Sequence, residues 1–299
     1  MNSDPALVMT VIAGPGAEAH VEACVAAIAA ALPARAAPDW LAAGRACDLA
    51  VEGGDATAAE AAARRAIGGA AIDVLVQPVA GRRKRVFVAD LEATMIENEM
   101  LDELADFVGR RPDVVEITRR AMNGEIDFAV ALAERVALLK GLPAAVLEEA
   151  AGRIRLMPGA RALLATLRAA GVRTALVTGG FTVFAERVAA ELGFDEVVAN
   201  RLDIADGRIA GTIAAPVVEG EAKLETLVTL AQRCGVPLSA TLAVGDGAND
   251  LPMLEAAGLG IAFHAKPAVA ARSRWRIDHA DLTALLYTQG YRESEIVAV

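Results

Sequence analysis

The sequence predicts an α/β protein built on a doubly wound, mostly parallel sheet, with a helical cap inserted after the first core strand and a small α+β domain before it. Short apolar runs alternate with helix-length segments over much of residues 81–299, and such alternation is typical of a parallel sheet covered by helices on both faces. One long stretch, about residues 95–156, has helical patterns only. Acidic motifs follow two strand-like runs, at the position where α/β sheets place their ligand sites.

Composition limits the kinds of protein this chain can be. At 299 residues, 55% of them hydrophobic and 4% aromatic, it has room for two domains with aliphatic cores. No apolar run reaches the roughly 18 residues of a membrane span, and the first residues, MNSDPALV, lack the basic start of a secretory signal, so we expect a cytoplasmic protein with no membrane association. The net charge of −10 would repel a polyanion, which argues against nucleic acid as a partner. The three cysteines are scattered, without metal or disulfide spacing.

Residues 1–80 are predicted to form the small α+β domain. The strand-like runs are Ala6–Ile12, Cys47–Val51 and Ile72–Gln77, and the helical patterns span about Glu18–Ala31 and Ala56–Ile67. The segment PVAGRRKR that follows has the composition of a linker. We expect its basic residues, Arg82–Arg85, to form a solvated connector, with an anion site as the less favoured alternative.

Residues 81–299 are predicted to carry the main sheet and its cap. After the first core strand, Val86–Ala89, come four helical patterns without a strand, which predict the cap at about residues 95–156. These patterns are Leu101–Val108, Val114–Met122, Phe128–Leu139 and Pro143–Ala150. Alternation resumes with helices Ala160–Ala170, Phe181–Leu192, Glu221–Cys234 and Asp250–Ala257, strands Arg173–Val177, Phe194–Ala199, Ala240–Val244 and Gly260–Phe263, and a final unit, Arg276–Leu286. Asp206 and Gly207, between alternating apolar residues, predict a β-hairpin.

Four acidic residues follow two of the predicted strands. Asp90 and Glu92 come directly after the first core strand, and the motif GDGAND places Asp246 and Asp250 after Ala240–Val244. A carboxylate beside a hard cation can attack phosphorus, and a second carboxyl group can protonate a leaving alkoxide and later activate water. Magnesium prefers oxygen ligands of this kind. Either motif alone is compatible with a solvated acidic loop or a helix cap, but together they favour a metal-supported site.

Two further features suit an anionic substrate. Thr178 offers a hydroxyl, and Gly179 and Gly180 can offer free backbone N–H groups near the start of the next helix. Lys223, near the start of a helical pattern, can add a fixed positive charge to phosphoryl oxygens. A lone lysine on a helix is more often solvated, but this one falls between the TGG and GDGAND motifs.

These four pieces, DLEAT, VTGG, Lys223 and GDGAND, resemble in kind and order the motifs of the haloacid dehalogenase superfamily. Within it, the stretch from about Arg85 to Tyr287 is most similar to the phosphoserine phosphatase family, with further likeness in TMIENEMLDELAD and IAFHAKP. The resemblance implies Mg²⁺-dependent hydrolysis of L-phosphoserine to L-serine and phosphate, the last step of serine biosynthesis, through an aspartyl-phosphate on Asp90. It also implies an ACT-like fold for residues 1–80 and a possible homodimer.

The resemblance also implies a role for each site residue. Asp90 and Glu92 would be catalytic; Asp90, Asp246 and the backbone carbonyl of Glu92 would hold Mg²⁺, with support from Asp250. The phosphate would be bound by Thr178, Gly179, Lys223 and Asn249. The amino acid part of the substrate would be contacted by Glu99, Arg135, Met122 and Phe128. A zwitterionic amino acid independently calls for one acid for its ammonium and one arginine for its carboxylate.

The first motif departs from the family pattern, which reads Asp-x-Asp-Ser-Thr. Glu92 is one methylene longer than the usual aspartate and Ala93 lacks the usual hydroxyl, and a displacement of ~1 Å can slow catalysis about a hundredfold. The alternatives are a phosphatase or phosphotransferase acting on another small phosphorylated amino acid or alcohol, such as transfer to homoserine, or a catalytically weak protein that binds an amino acid and regulates a partner.

Overall fold

The computed structural model describes residues 6–32, 37–51, 55–122 and 125–299. The strands are β1 Leu7–Ala13, β2 Asp39–Ala42, β3 Ala46–Val51, β4 Ile72–Pro78, β5 Val86–Ala89, β6 Arg173–Phe181, β7 Glu196–Asn200, β8 Leu202–Ala205, β9 Arg208–Ile213, β10 Thr241–Gly245, β11 Leu259–Phe263 and β12 Trp275–Ile277. The helices are α1 Glu18–Ala31, α2 Ala56–Ile67, α3 Met100–Asp106, α4 Arg111–Met122, α5 Phe128–Ala137, α6 Ala145–Ala151, α7 Ala160–Ala169, α8 Thr182–Leu192, α9 Gly220–Arg233, α10 Leu251–Ala256, α11 Pro267–Ala270 and α12 Ala284–Thr288.

The main sheet has six parallel strands in the order β12-β11-β10-β5-β6-β7. Helices cover both faces of this sheet, and its central strands β5, β10 and β11 are mostly apolar and buried along their whole length. The first core strand, β5, lies between β6 and β10, so the chain direction across the sheet reverses at this point. The carboxyl ends of these three strands therefore open into one crevice, and the predicted fold class is confirmed.

Helices α3 to α6 occupy the chain between β5 and β6, as the sequence predicts for the cap. The hairpin β8–β9 docks on them through its backbone: the Gly141 N–H donates to Ile209 O at 2.8 Å, and the Ile209 N–H donates to Leu142 O at 2.8 Å. The turn that closes the hairpin has φ of 50° at Asp206 and 71° at Gly207, which confirms the turn predicted there.

The N-terminal sheet is antiparallel, in the order β2-β3-β1-β4, with α1 and α2 on one face. This is the strand order of a βαββαβ, ferredoxin-like unit. Strand β2 was not predicted, because DWLA is short, begins with an exposed aspartate and has no alternation of apolar and polar residues to identify it. The division of the chain near residue 80 stays a prediction.

The N-terminal sheet is joined to the main domain by buried polar contacts. Arg82 forms an ion pair with Asp48 at 2.7 Å, with about a tenth of either side chain exposed. Asp73 accepts backbone N–H groups from residues 278–280 at 2.7 to 3.1 Å. The prediction of a solvated connector at Arg82–Arg85 is therefore wrong for Arg82, which anchors this interface, and for Lys84, which is 7% exposed. Arg83 and Arg85 are exposed, as the prediction has them.

No helix in the described ranges is long and apolar enough to cross a membrane. The three cysteines are free, with Cys47 buried and Cys24 and Cys234 half-buried.

Candidate active site

Three carboxylates meet in the crevice at the carboxyl ends of the central strands. Asp90 follows β5, Asp246 follows β10, and Asp250 stands just before α10. Oxygen atoms of these three side chains lie within 4.8 Å of one another, and all three residues are buried. The structure thus brings together acids that are 160 residues apart in the chain, as the sequence analysis expected.

The turn of the GDGAND motif aims Asp250 back at the strand that precedes it. The Gly247 N–H donates to Asp250 Oδ2 at 2.9 Å, and the backbone forms a short 3₁₀ turn over residues 248–250. A Cβ atom at Gly245 would overlap the Asp250 side chain. Only glycine allows the carboxylate to lie this close over the end of β10.

Lys223 is the cation that this cluster shares. It lies in the first turn of α9 and is 1% exposed, and its Nζ atom lies 2.7 Å from Asp90 Oδ1 and 2.5 Å from Asp250 Oδ1. Burial by itself would lower the pKa of Lys223, but the charges of Asp90 and Asp250 raise it above its ordinary value. Lys223 is therefore a fixed positive charge beside Asp90 and not a solvated helix residue.

The cluster has more negative charge than its own cations neutralise. Lys223 is shared between two carboxylates, while Asp246 is faced at 3.5 Å by the half-exposed ammonium of Lys266. Burial raises the pKa of Asp90 to about 7 against the opposing charge of Lys223, and burial also raises the pKa of Asp246. Buried carboxylate oxygens with excess negative charge are the donor set that a hard divalent cation prefers, so these residues fit such an ion.

The TGG segment belongs to β6, which runs to Phe181 and not only to the predicted Val177. The buried Thr178 hydroxyl accepts the Gly180 N–H at 2.8 Å. The expectation that Gly180 offers a free N–H to an anion is therefore wrong, because the preceding hydroxyl occupies it. Thr178 keeps its hydroxyl hydrogen for donation into the crevice.

Asn200 holds this segment in place, a role that the sequence analysis missed. Its Nδ2 donates to Gly179 O at 2.8 Å and to Val218 O at 3.0 Å, and its Oδ1 accepts the Val218 N–H at 2.7 Å. Asn200 is 1% exposed. It therefore ties the glycine segment to the chain leading into α9, which carries Lys223. An asparagine at the end of a strand-like run is the signal that could have identified it.

Glu92 is held by one backbone hydrogen bond and lies beside a glycine that leaves room for its longer side chain. Its Oε1 accepts the Met100 N–H at 2.8 Å, and its Oε2 lies 3.0 Å from where a Cβ atom at Gly180 would stand. Burial raises the pKa of Glu92 to about 8, with the charge of Glu99 acting in the same direction. This upward shift of the pKa favours the protonated form of the Glu92 carboxyl group, which can donate its proton.

The cap places an acid and a base beside Glu92. Glu99 stands at the start of α3 and Arg135 on α5, and the Arg135 charge acts on both glutamates. Burial lowers the pKa of Arg135, whose guanidinium donates to Thr118 Oγ1 at 3.3 Å. Among the residues that the structure describes, no carboxylate lies within ion-pair distance of the Arg135 guanidinium. The guanidinium is therefore available to an anion.

For the remaining predicted site residues, the structure describes a position in the fold but no side-chain contact to the site. Asn249 lies against the start of α9, where a Cβ atom at Gly220 would come within 2.9 Å of Asn249 O. Met122 ends α4 and Phe128 begins α5, but their side chains lie outside the described part of the structure. Lys266, in the stretch IAFHAKP after β11, was not predicted as a site residue; its position beyond the carboxyl end of a core strand was the available signal.

Comparisons with known proteins agree with this geometry. Residues 87–255 match the profile of the haloacid dehalogenase-like hydrolases. The phosphoserine phosphatase SerB2 of Mycobacterium tuberculosis is 44% identical over 229 residues, which are 76% of this chain and 56% of that protein. The phosphoserine phosphatase of Idiomarina loihiensis is 46% identical over 67% of this chain and 91% of its own length.

Solved structures extend the likeness to the fold. A HAD family hydrolase from Salmonella enterica serovar Typhi covers 95% of this chain and 98% of its own, with a TM-score of 0.84 and 29% identity. A substrate-bound phosphoserine phosphatase covers 69% of this chain and 98% of its own, with a TM-score of 0.65 and 38% identity. This chain spans just over half the length of the first relatives, 56% and 58% for the Mycobacterium and Streptomyces coelicolor proteins. On its profile match, its motifs and its fold, the chain belongs to the haloacid dehalogenase-like hydrolase family.

Proposed function

We propose that this protein is a Mg²⁺-dependent phosphomonoester hydrolase that converts L-phosphoserine to L-serine and phosphate. The observation that carries the proposal is the buried cluster of Asp90, Asp246 and Asp250 around Lys223, at the carboxyl ends of β5 and β10. Relatives of 41 to 46% identity bear the name phosphoserine phosphatase, which supports the substrate.

Asp90 is the nucleophile in this proposal. One of its carboxylate oxygens attacks phosphorus while the bond from phosphorus to the serine oxygen breaks, and the Glu92 carboxyl group gives its proton to that oxygen. Glu92, now ionised, takes a proton from a water molecule that attacks the phosphorus of phospho-Asp90, which releases phosphate and restores both acids. Lys223 stabilises the charge on the phosphoryl oxygens from its buried position beside Asp90.

Mg²⁺ fits the acidic cluster, and Asp90, Asp246 and the Glu92 carbonyl would hold it, with Asp250 in support. Bound there, the ion supplies positive charge to the phosphoryl group. The phosphate would be bound by Thr178 and Gly179 of β6 and by Asn249 of the GDGAND turn.

The cap supports an amino acid substrate. Glu99 supplies the negative charge for an ammonium group, and Arg135 supplies a guanidinium, which pairs well with a carboxylate. The charges of both act on Glu92, which must reach the serine oxygen. Met122 and Phe128 as apolar lining, and a homodimer, stay predictions.

Phosphate release from L-phosphoserine, with and without Mg²⁺, tests the proposal. We expect Mg²⁺-dependent release that is lost in Asp90→Asn and retained in Asp206→Asn, a matched exchange in the hairpin turn at a φ that asparagine tolerates. Release from phosphoethanolamine, which lacks the carboxylate, should be much slower because Arg135 has no partner. Equal rates for the two compounds would refute the substrate assignment, and an active Asp90→Asn variant would refute the mechanism.

A further inference from the structure

A cavity lined by both apolar and basic residues lies at the opposite end of the core strands from the acidic cluster. Its volume is about 400 Å³, and it opens where β4 ends and where β5, β10 and β12 begin. Its walls come from both sheets of the protein. The lining residues that matter here are Gln77, Arg83, Lys84, Arg85, Ser239 and Trp275.

Lys84 is the unusual feature of this cavity. It is 7% exposed, and its ammonium donates to two neutral acceptors, Gly81 O at 2.8 Å and Ser239 O at 2.9 Å. It forms no ion pair with any residue that the structure describes, and burial lowers its pKa. A buried charge without a counter-charge is costly, and an ammonium has a third proton to donate.

The other cations around the cavity add to this excess. Arg83 pairs with Glu295 at 2.8 Å and stacks on the Tyr291 ring, so its charge is largely neutralised. Arg85 is exposed and has no side-chain hydrogen bond or ion pair with a described residue. None of the described residues that line the cavity is acidic. In a chain of net charge −10, this is a local concentration of unneutralised positive charge.

We propose that this cavity binds a small phosphate-type oxyanion, with Lys84 and Arg85 as its charged contacts. The oxyanion neutralises the buried ammonium, to which the described residues offer two carbonyl oxygens but no counter-charge. Because the cavity walls belong to β4 on one side and to β5 and β10 on the other, the bound anion also strengthens the docking of the N-terminal sheet. The site is independent of the acidic cluster, which lies beyond the other ends of β5 and β10.

The chain carries its own reporter for this site. It has two tryptophans; Trp275 lines the cavity and donates its indole N–H to Val76 O at 2.9 Å, while Trp40 lies in β2. The full chain, labelled with ¹⁵N-tryptophan and free of Mg²⁺, therefore gives two indole signals, which Trp40→Phe assigns. We expect inorganic phosphate to shift the Trp275 signal saturably and to leave the Trp40 signal in place.

Matched variants decide whether the cavity causes the shift. Lys84→Met removes the buried charge but keeps the length of the side chain, and Lys140→Met makes the same exchange at an exposed position in the cap. We expect phosphate affinity at Trp275 to fall at least ~10-fold, about 1.4 kcal/mol, in Lys84→Met and to be unchanged in Lys140→Met. Arg85→Gln, at an exposed side chain, gives the same test if Lys84→Met does not fold.

Three results would overturn the proposal. The first is the absence of any saturable Trp275 shift with phosphate. The second is an equal shift with sodium chloride at matched ionic strength, which would identify a general salt effect. The third is full phosphate affinity in the folded variants of Lys84 or Arg85, which would place the anion elsewhere.

Discussion

The replacement of Glu92 by glutamine separates the acid function of this side chain from its place in the fold. Glutamine keeps the length of glutamate and an oxygen that can accept the Met100 N–H, now at 2.8 Å, but it has no proton to give to the serine oxygen. Removal of a general acid slows catalysis about 10²–10⁴-fold, or ~3–5 kcal/mol of barrier. We expect that loss in kcat, with KM for L-phosphoserine nearly unchanged.

The replacement of Glu92 by aspartate tests the geometry. Aspartate keeps the acid but withdraws the carboxyl group by one carbon–carbon bond, about 1.5 Å, which breaks the hydrogen bond to Met100 and leaves space beside Gly180. A misplacement of this size costs up to about a hundredfold in rate. The expected order of kcat is therefore the native chain, then aspartate, then glutamine.

Steady-state and single-turnover phosphate release, at saturating L-phosphoserine and Mg²⁺, measures these rates. Thermal unfolding of the same proteins checks that the glutamine variant is folded. A glutamine variant that keeps more than about a tenth of the native kcat would refute the role of Glu92 as proton donor. An aspartate variant faster than the native chain would show that the site is not fitted to the longer acid.

Three further predictions concern groups that hold the site and the interface together. Gly245→Ala should raise the Mg²⁺ concentration for half-maximal activity at least ~10-fold, because the new Cβ atom overlaps the Asp250 side chain. Gly69→Ala is the control, since nothing lies within 4 Å of a Cβ atom at Gly69. Equal Mg²⁺ requirements for the two variants would contradict the reasoning. Asn200→Ala should lower the free energy of unfolding by ~2 kcal/mol, because it leaves part-buried backbone groups of Gly179 and Val218 unpaired. Urea denaturation measures this, and a loss below ~0.5 kcal/mol would argue against the anchoring role. Asp73→Ala should expose the amides of residues 278–280 to hydrogen exchange, because it removes their acceptor; unchanged protection there would mean that other contacts dock the N-terminal sheet.

Much of the fold follows from local patterns. The alternation of apolar runs and helical segments predicted the parallel sheet, and the absence of strand-like runs over about residues 95–156 predicted the cap. The hairpin turn at Asp206 and Gly207 follows from the left-handed backbone that these residues tolerate. Strand β2 was not predicted, because four residues that begin with an aspartate are too few to show an alternation of apolar and polar residues. Its pairing with β3 defines it instead.

The sequence by itself determined where the acids lie, because the carboxyl ends of neighbouring parallel strands must meet in one crevice wherever their side chains point. Only the tertiary structure decided what each remaining polar group does. It buried Lys223 between Asp90 and Asp250, and Lys84 without a counter-charge. Such outcomes depend on contacts between residues far apart in the chain and on the loss of water around them, and neither is encoded in any short stretch of sequence.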